Sequence, residues 1–167
     1  MKPLDVLGVR VEMPTNQPIV LLRERDGSRY LPIWVGAAEA AAIAYAQQGV
    51  VPPRPLTHDL MKNLLDDLGH TLTRVRITKL EEGVFHAELD VDGGDAGGGQ
   101  SIDARSSDAI ALALRFGVDI VTTEALLDEA GVAMAEEEQE ENEVEKFKEF
   151  LDQVSADDFD TGDKPSS

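Results

Sequence analysis

Two rhythms alternate along the chain. Val6 to Met13, Pro18 to Arg25 and Arg29 to Val35 carry strand-like apolar runs, and Asp26-Gly27-Ser28 supplies a turn between the second and third. This predicts a hairpin-linked meander. After Gly36, the run AAEAAAIAYAQQ consists of strong helix formers, and Gly49 stands where a left-handed C-terminal residue is wanted. Thr57 reads as the N-cap of a second helix over His58 to Leu68, in which Leu60, Met61, Leu64, Leu65 and Leu68 recur at helical spacing.

The strand rhythm then returns. Thr71 to Leu80 and Val84 to Val91 alternate around the turn Glu81-Glu82-Gly83, predicting a second hairpin. Asp92 to Gly99 has almost no side chains with which to pack and reads as a loop tip. Gln100 to Ala104 forms a further strand, followed by a helix over Ser107 to Phe116 with Ser106 as its cap and Gly117 as its stop. Val118 to Val121 is a last short strand, and Thr123 caps a helix through Ala130. This order predicts an α+β fold: a mainly antiparallel or mixed sheet with helices packed on one face.

Residues 135–167 differ in kind. Ala135 to Gln153 predicts a charged helix, with Val144, Phe147, Phe150 and Leu151 clustered in its second half, and Ser155 to Ser167 reads as disordered. The expected organisation is therefore a globular domain over 1–134 and an acidic helical extension over 135–167. The extension covers its own core or binds a protein partner.

Charge sharpens this division. The net charge is −18, and residues 135–167 hold 13 acids against 3 bases. The preceding body is itself acidic, so it lacks the basic footprint of proteins that bind nucleic acid by neutralising phosphates. No window has the apolar length of a membrane span, and the first ten residues lack the order of a secretory signal, so the expectation is a cytoplasmic protein that avoids membranes. The chain has no cysteine and only three histidines, so any metal must sit mainly on oxygen ligands.

Candidate chemistry collects at three helix starts. A phosphate-cradling loop, a dinucleotide fingerprint and a nucleophile elbow are all missing, so no nucleotide cofactor is expected. The first start places Glu39 after Trp34-Val35-Gly36, with Trp34 expected in the core. The second brings a solvent-facing His58 and Asp59 beside Thr57. The third gathers Asp103, Arg105, Ser106 and Asp108 between two apolar elements. Each start reads as an ordinary helix cap or as part of a site. If the three converge, carboxylates, a histidine and an arginine would line one cleft, a set suited to metal-assisted phosphodiester hydrolysis.

Three blocks carry a family resemblance: YLPIWVGAAEAAAIA, RPLTHDLMKNLL and IDARSSDAIALALRFGVDI. In this order and spacing the chain resembles the bifunctional nuclease domain family, earlier a domain of unknown function, over roughly residues 3 to 133 and with an actinobacterial-type acidic extension. The resemblance implies a compact α+β fold, self-association into a homo-oligomer, and nuclease activity on RNA and DNA, as reported for some plant members. It brings no catalytic set to carry over. On motif position and chemistry, Glu39, Asp59, Asp103 and Asp108 are candidate ligands for Mg²⁺ or Mn²⁺, His58 a proton-transfer group and Arg105 a phosphate clamp. Two alternatives stand beside the nuclease: a non-catalytic oligomeric regulatory or protein-binding module, and a hydrolase of small phosphodiesters, which would tolerate the negative charge better.

Overall fold

A computed structural model describes residues 1–94 and 98–133. The acidic helix and disordered end expected beyond residue 134 lie outside the described residues, as do three positions of the glycine-rich loop.

The first three strands are β1 (Lys2–Glu12), β2 (Gln17–Glu24) and β3 (Arg29–Trp34), followed by helices α1 (Ala37–Gln48) and α2 (Thr57–Asp67). The second hairpin is β4 (His70–Glu81) and β5 (Val84–Gly93), and β6 (Gln100–Arg105) leads directly into α3 (Ser106–Phe116). The short elements β7 (Ile120–Thr122), α4 (Glu124–Ala130) and β8 (Val132–Ala133) close the described chain. All strands join one sheet in the order β6-β5-β4-β7-β1-β2-β3-β8. Every pairing is antiparallel except β4 with β7. The fold is thus α+β with a mixed sheet.

Register decides which residues face the helices. Val20 lies opposite Ile33 and Leu22 opposite Leu31, while Ile77 lies opposite Ala87 and Val75 opposite Leu89. Paired residues share a face, and these eight meet Ile43 of α1 and Ile110 and Leu112 of α3 in one buried cluster. Each fully buried Leu or Ile contributes about 2 kcal/mol of apolar transfer energy, so this face holds the helix layer in place.

Several boundaries differ from the sequence reading, each for a tertiary reason. β1 begins at Lys2 rather than Val6, because Lys2, Pro3 and Leu4 find partners in β7. A bulge between Val6 and Gly8 breaks the alternation that would have announced this longer strand. β7 is shifted to Ile120–Thr122, since the Val118 amide is taken by the Ala113 carbonyl as α3 ends at left-handed Gly117.

The caps differ as well. Thr57 is the first residue of α2, not its cap; Leu56 holds that position and donates its amide to the Asp59 carboxylate at 3.0 Å. Ser106 is likewise the first residue of α3, with Arg105 at the cap and no side chain accepting from the first turn. Thr123 does cap α4 as expected, accepting from the Leu126 amide at 3.1 Å. On α2, Met61 and Leu65 turn toward the core, while Leu60 and Leu64, with the flanking cap residues Leu56 and Leu68, remain exposed.

Candidate active site

The three helix starts meet. α3 packs against both α1 and α2, which brings Glu39, His58, Arg105 and Asp108 into one hydrogen-bonded group. Arg105 leaves the end of β6 and donates Nε to Asp108 Oδ2 at 2.8 Å and Nη2 to Asp108 Oδ1 at 3.1 Å. The same Nη2 donates to Glu39 Oε1 at 3.0 Å. On the other side, His58 Nε2 lies 2.8 Å from Asp108 Oδ1. Both oxygens of Asp108 are therefore occupied, whereas Glu39 Oε2 and Arg105 Nη1 have no partner among the described residues.

Burial divides these groups by task. Asp108 and Glu39 are largely enclosed, while the Arg105 side chain is 65% exposed and presents its free edge to solvent. Burial pushes the Asp108 carboxyl upward, but hydrogen bonds from Arg105 and His58 outweigh it and hold the group below its ordinary range. The bonds to Asp108 push the Arg105 guanidinium upward, so it stays charged at every relevant pH. Asp108 and Glu39 thus fix a permanent cation with one edge available to an anion.

His58 departs from the solvent-facing position expected of it. It is buried, with Nε2 directed at Asp108, and in that setting it orients the carboxylate that orients Arg105. Asp59 turns elsewhere: it accepts from Arg115 Nε at 2.8 Å as well as from the Leu56 amide, and these bonds lower its pKa. The Arg115 side chain is only 8% exposed and also donates to the Ala111 carbonyl. Asp103 stands opposite Glu88 in the β5–β6 pairing, where its charge acts on Lys79. Of the four carboxylates considered as metal ligands, the structure joins Glu39 and Asp108 through Arg105 and gives Asp59 and Asp103 other neighbours. Among the described residues, no group of three or more His, Asp or Glu side chains is arranged to hold a metal ion.

Beside the arginine lies a cleft of about 330 Å³. Its walls come from the end of β3 with the turn into α1 (Trp34, Val35, Gly36), from the β4–β5 turn (Val84, Phe85) and from Arg105, Ser106 and Ser107. Trp34, expected in the core, is instead 54% exposed. It ends β3 opposite Ile19, at the rim where the sheet gives way to α1. Ser106 and Ser107 show the reverse, each only 7% exposed although serine is usually a surface residue. Among the described residues neither hydroxyl has a hydrogen-bond partner. The sequence gives no warning of these features, since nothing local distinguishes a buried serine from a capping one.

Gly36 shapes the same corner. A Cβ there would collide with the Glu39 carboxylate, whose Oε2 folds back over the glycine. The absence of a side chain at position 36 therefore lets Glu39 reach Arg105.

The molecule is an α+β domain in which converging helix starts hold an exposed arginine between two carboxylates at the edge of a cleft. The chain belongs to the bifunctional nuclease domain family, whose sequence profile matches residues 20–135. It is 54% identical to the uncharacterized protein Rv1829 of Mycobacterium tuberculosis (strain H37Rv), over 95% of this chain and 98% of that one. It is also 33% identical to bifunctional nuclease 2 of Oryza sativa subsp. japonica, over 77% of this chain and 40% of the plant protein. Bifunctional nuclease 1 of Arabidopsis thaliana is 30% identical over 71% of this chain and 37% of its own length. No helix among the described residues is long and apolar enough to cross a membrane.

Proposed function

We propose that this domain hydrolyses phosphodiester bonds in RNA or DNA, with Arg105 as the phosphate clamp and Glu39 as the general base. The observation that carries this reading is the division of labour around Arg105. Asp108 is saturated by Arg105 and His58, while Glu39 holds Arg105 through Oε1 and keeps Oε2, folded over Gly36, without a partner among the described residues. A phosphate held at Nη1 would bring its phosphorus within reach of a water oriented by Oε2. The water oxygen forms the new bond to phosphorus and its proton passes to Glu39. The bond to the departing ester oxygen breaks, and that oxygen is protonated from solvent. Charge developing on the phosphoryl oxygens is met by Arg105 and by the amides of the first turn of α3. His58 and Asp108 act as positioning residues.

The donors at hand do not fit a resident divalent ion, because two of the four carboxylates have other neighbours and the remaining two already neutralise Arg105. Mg²⁺ or Mn²⁺, where turnover calls for it, is expected to arrive with the phosphodiester. The reading includes self-association, supported by the exposed Leu56, Leu60, Leu64 and Leu68 of α2 and its caps, a protein partner for the acidic extension, and a cytoplasmic setting consistent with a cysteine-free sequence.

The test is hydrolysis of single-stranded RNA and DNA by the full chain, with EDTA and with added Mg²⁺ or Mn²⁺, comparing wild type with Arg105→Ala and Glu39→Gln. Each substitution is expected to lower the rate roughly 10²- to 10³-fold. Wild-type rates from both variants would assign the activity to another site or to a contaminant. No hydrolysis under any condition favours a non-catalytic binding module.

A further inference from the structure

We infer that the cleft beside Arg105 takes one nucleotide of a short single-stranded phosphodiester, its base against Trp34 and its phosphate at Ser106, Ser107 and Arg105. This rests on the phosphodiester reading of the same site and names its substrate class. Three independent observations converge on it.

The first is the pair of buried serine hydroxyls. Buried polar groups nearly always have a hydrogen-bond partner, and those that do not call for one from outside the chain. Ser106 and Ser107 line the cleft, are more than nine-tenths buried and lack partners among the described residues. They begin an eleven-residue helix whose first-turn amides donate to no side-chain cap. Two hydroxyls, uncapped amides and the free edge of Arg105 form the donor set on the cleft wall, while the carboxylates of Glu39 and Asp108 hold the other edge of Arg105 and do not line the cleft; such a set recognises a phosphate group.

The second is apolar surface left in water along the same cleft. Trp34 and Val84 are each more than half exposed, and Phe85 and Ile33 line the same cleft. A large flat ring beside a phosphate site is what a nucleobase stacks on, and stacking tolerates any base.

The third is size and charge. A volume of about 330 Å³ lies at the low end of small-ligand clefts and accommodates one nucleotide. The acidic body supplies no track of cations for a long polyanion or a duplex. The favoured substrate is therefore a dinucleotide or the end of a short oligonucleotide.

Trp34 is the only tryptophan of the chain, so it reports on its own site. Its fluorescence is followed while the full-length protein is titrated with 5′-AMP, adenosine or inorganic phosphate. None of these contains a bond the proposed reaction would cut. Saturable quenching by 5′-AMP is expected, with phosphate and adenosine each binding at least about tenfold more weakly.

Calorimetry then compares variants. Trp34→Leu is expected to weaken 5′-AMP by roughly 5- to 150-fold and to leave phosphate unaffected. The double variant Ser106→Ala/Ser107→Ala weakens 5′-AMP and phosphate, leaves adenosine unaffected, and melts no lower than wild type because the lost hydroxyls had no partner to lose. The inference is overturned if 5′-AMP binds no more tightly than phosphate, or if Trp34→Leu, still folded by circular dichroism, binds 5′-AMP as wild type does. Saturable binding of 5′-AMP without turnover of a dinucleotide sinks the hydrolytic reading and leaves the nucleotide cleft standing. Dinucleotide turnover indifferent to Trp34→Leu does the opposite.

Discussion

Arg105 and Glu39 lie 66 positions apart in the chain, yet Nη2 of one is 3.0 Å from Oε1 of the other. This contact depends on a residue that has no side chain of its own, Gly36. Gly36→Ala would place a methyl against the Glu39 carboxylate. The obstacle is the far end of a flexible side chain, and φ at Gly36 is −74°, which alanine adopts freely. The expected outcome is a folded protein with a nearly unchanged melting temperature and hydrolysis lowered to roughly that of Glu39→Gln, some 10²-fold. Wild-type turnover in Gly36→Ala would show that the Glu39 position is immaterial.

His58 and Asp108 form a coupled pair 50 residues apart. Asp108→Asn and His58→Ala should each destabilise the fold, and a double-mutant cycle in urea should return a coupling energy of about 1–3 kcal/mol. A value near zero would mean that His58 is merely packed beside the carboxylate.

Asp59 pairs with the Arg115 guanidinium. Asp59→Asn leaves the Arg115 side chain, 8% exposed, with a neutral partner in place of a carboxylate that is 26% exposed, and a loss of about 1–3 kcal/mol of folding stability is expected. Activity should fall in step with the loss of folded protein, as a thermal melt run beside the assay would reveal. A specific loss of turnover at full foldedness would return Asp59 to the chemistry.

Acid should weaken the outer face of the β4–β5–β6 sheet. Asp90 accepts from Arg76, Arg74 and Ser101, and the Arg76 bond above all holds its pKa at about 2. A carboxylate depressed in the folded state stabilises it fully above its unfolded pKa, near 4, and the benefit disappears as pH falls through the folded value. The Asp90 contribution, on the order of 1–2 kcal/mol, should therefore fade between about pH 4 and pH 2. Asp90→Asn should flatten the stability profile in that window, as measured by urea denaturation at stepped pH.

Glycine stops, apolar alternation and helix formers made most elements legible, because each signal lies within a few residues of the element it defines. α1, the two hairpins and the capping of α4 by Thr123 follow from such local chemistry. The start of the first strand is not legible locally, because Lys2, Pro3 and Leu4 owe their strand character to β7, more than a hundred residues away. The caps of α2 and α3 fall one residue before the hydroxyls that local chemistry favours, because Leu56 and Arg105 take the extended cap conformation without supplying a capping oxygen.

The candidate site divides in the same way. Residue types and their places at helix starts, read from the sequence, already put Glu39, His58, Arg105 and Asp108 among the candidates. Only the packing of α3 against α1 and α2 joined them through Arg105 and sent Asp59 to Arg115 and Asp103 to the face of Glu88. Tertiary structure alone also exposed Trp34 and buried Ser106 and Ser107. Composition and local pattern determine which groups a chain can offer and which elements carry them. Which groups meet, and which are left without a partner, depends on contacts between segments far apart in sequence, and no local pattern encodes those.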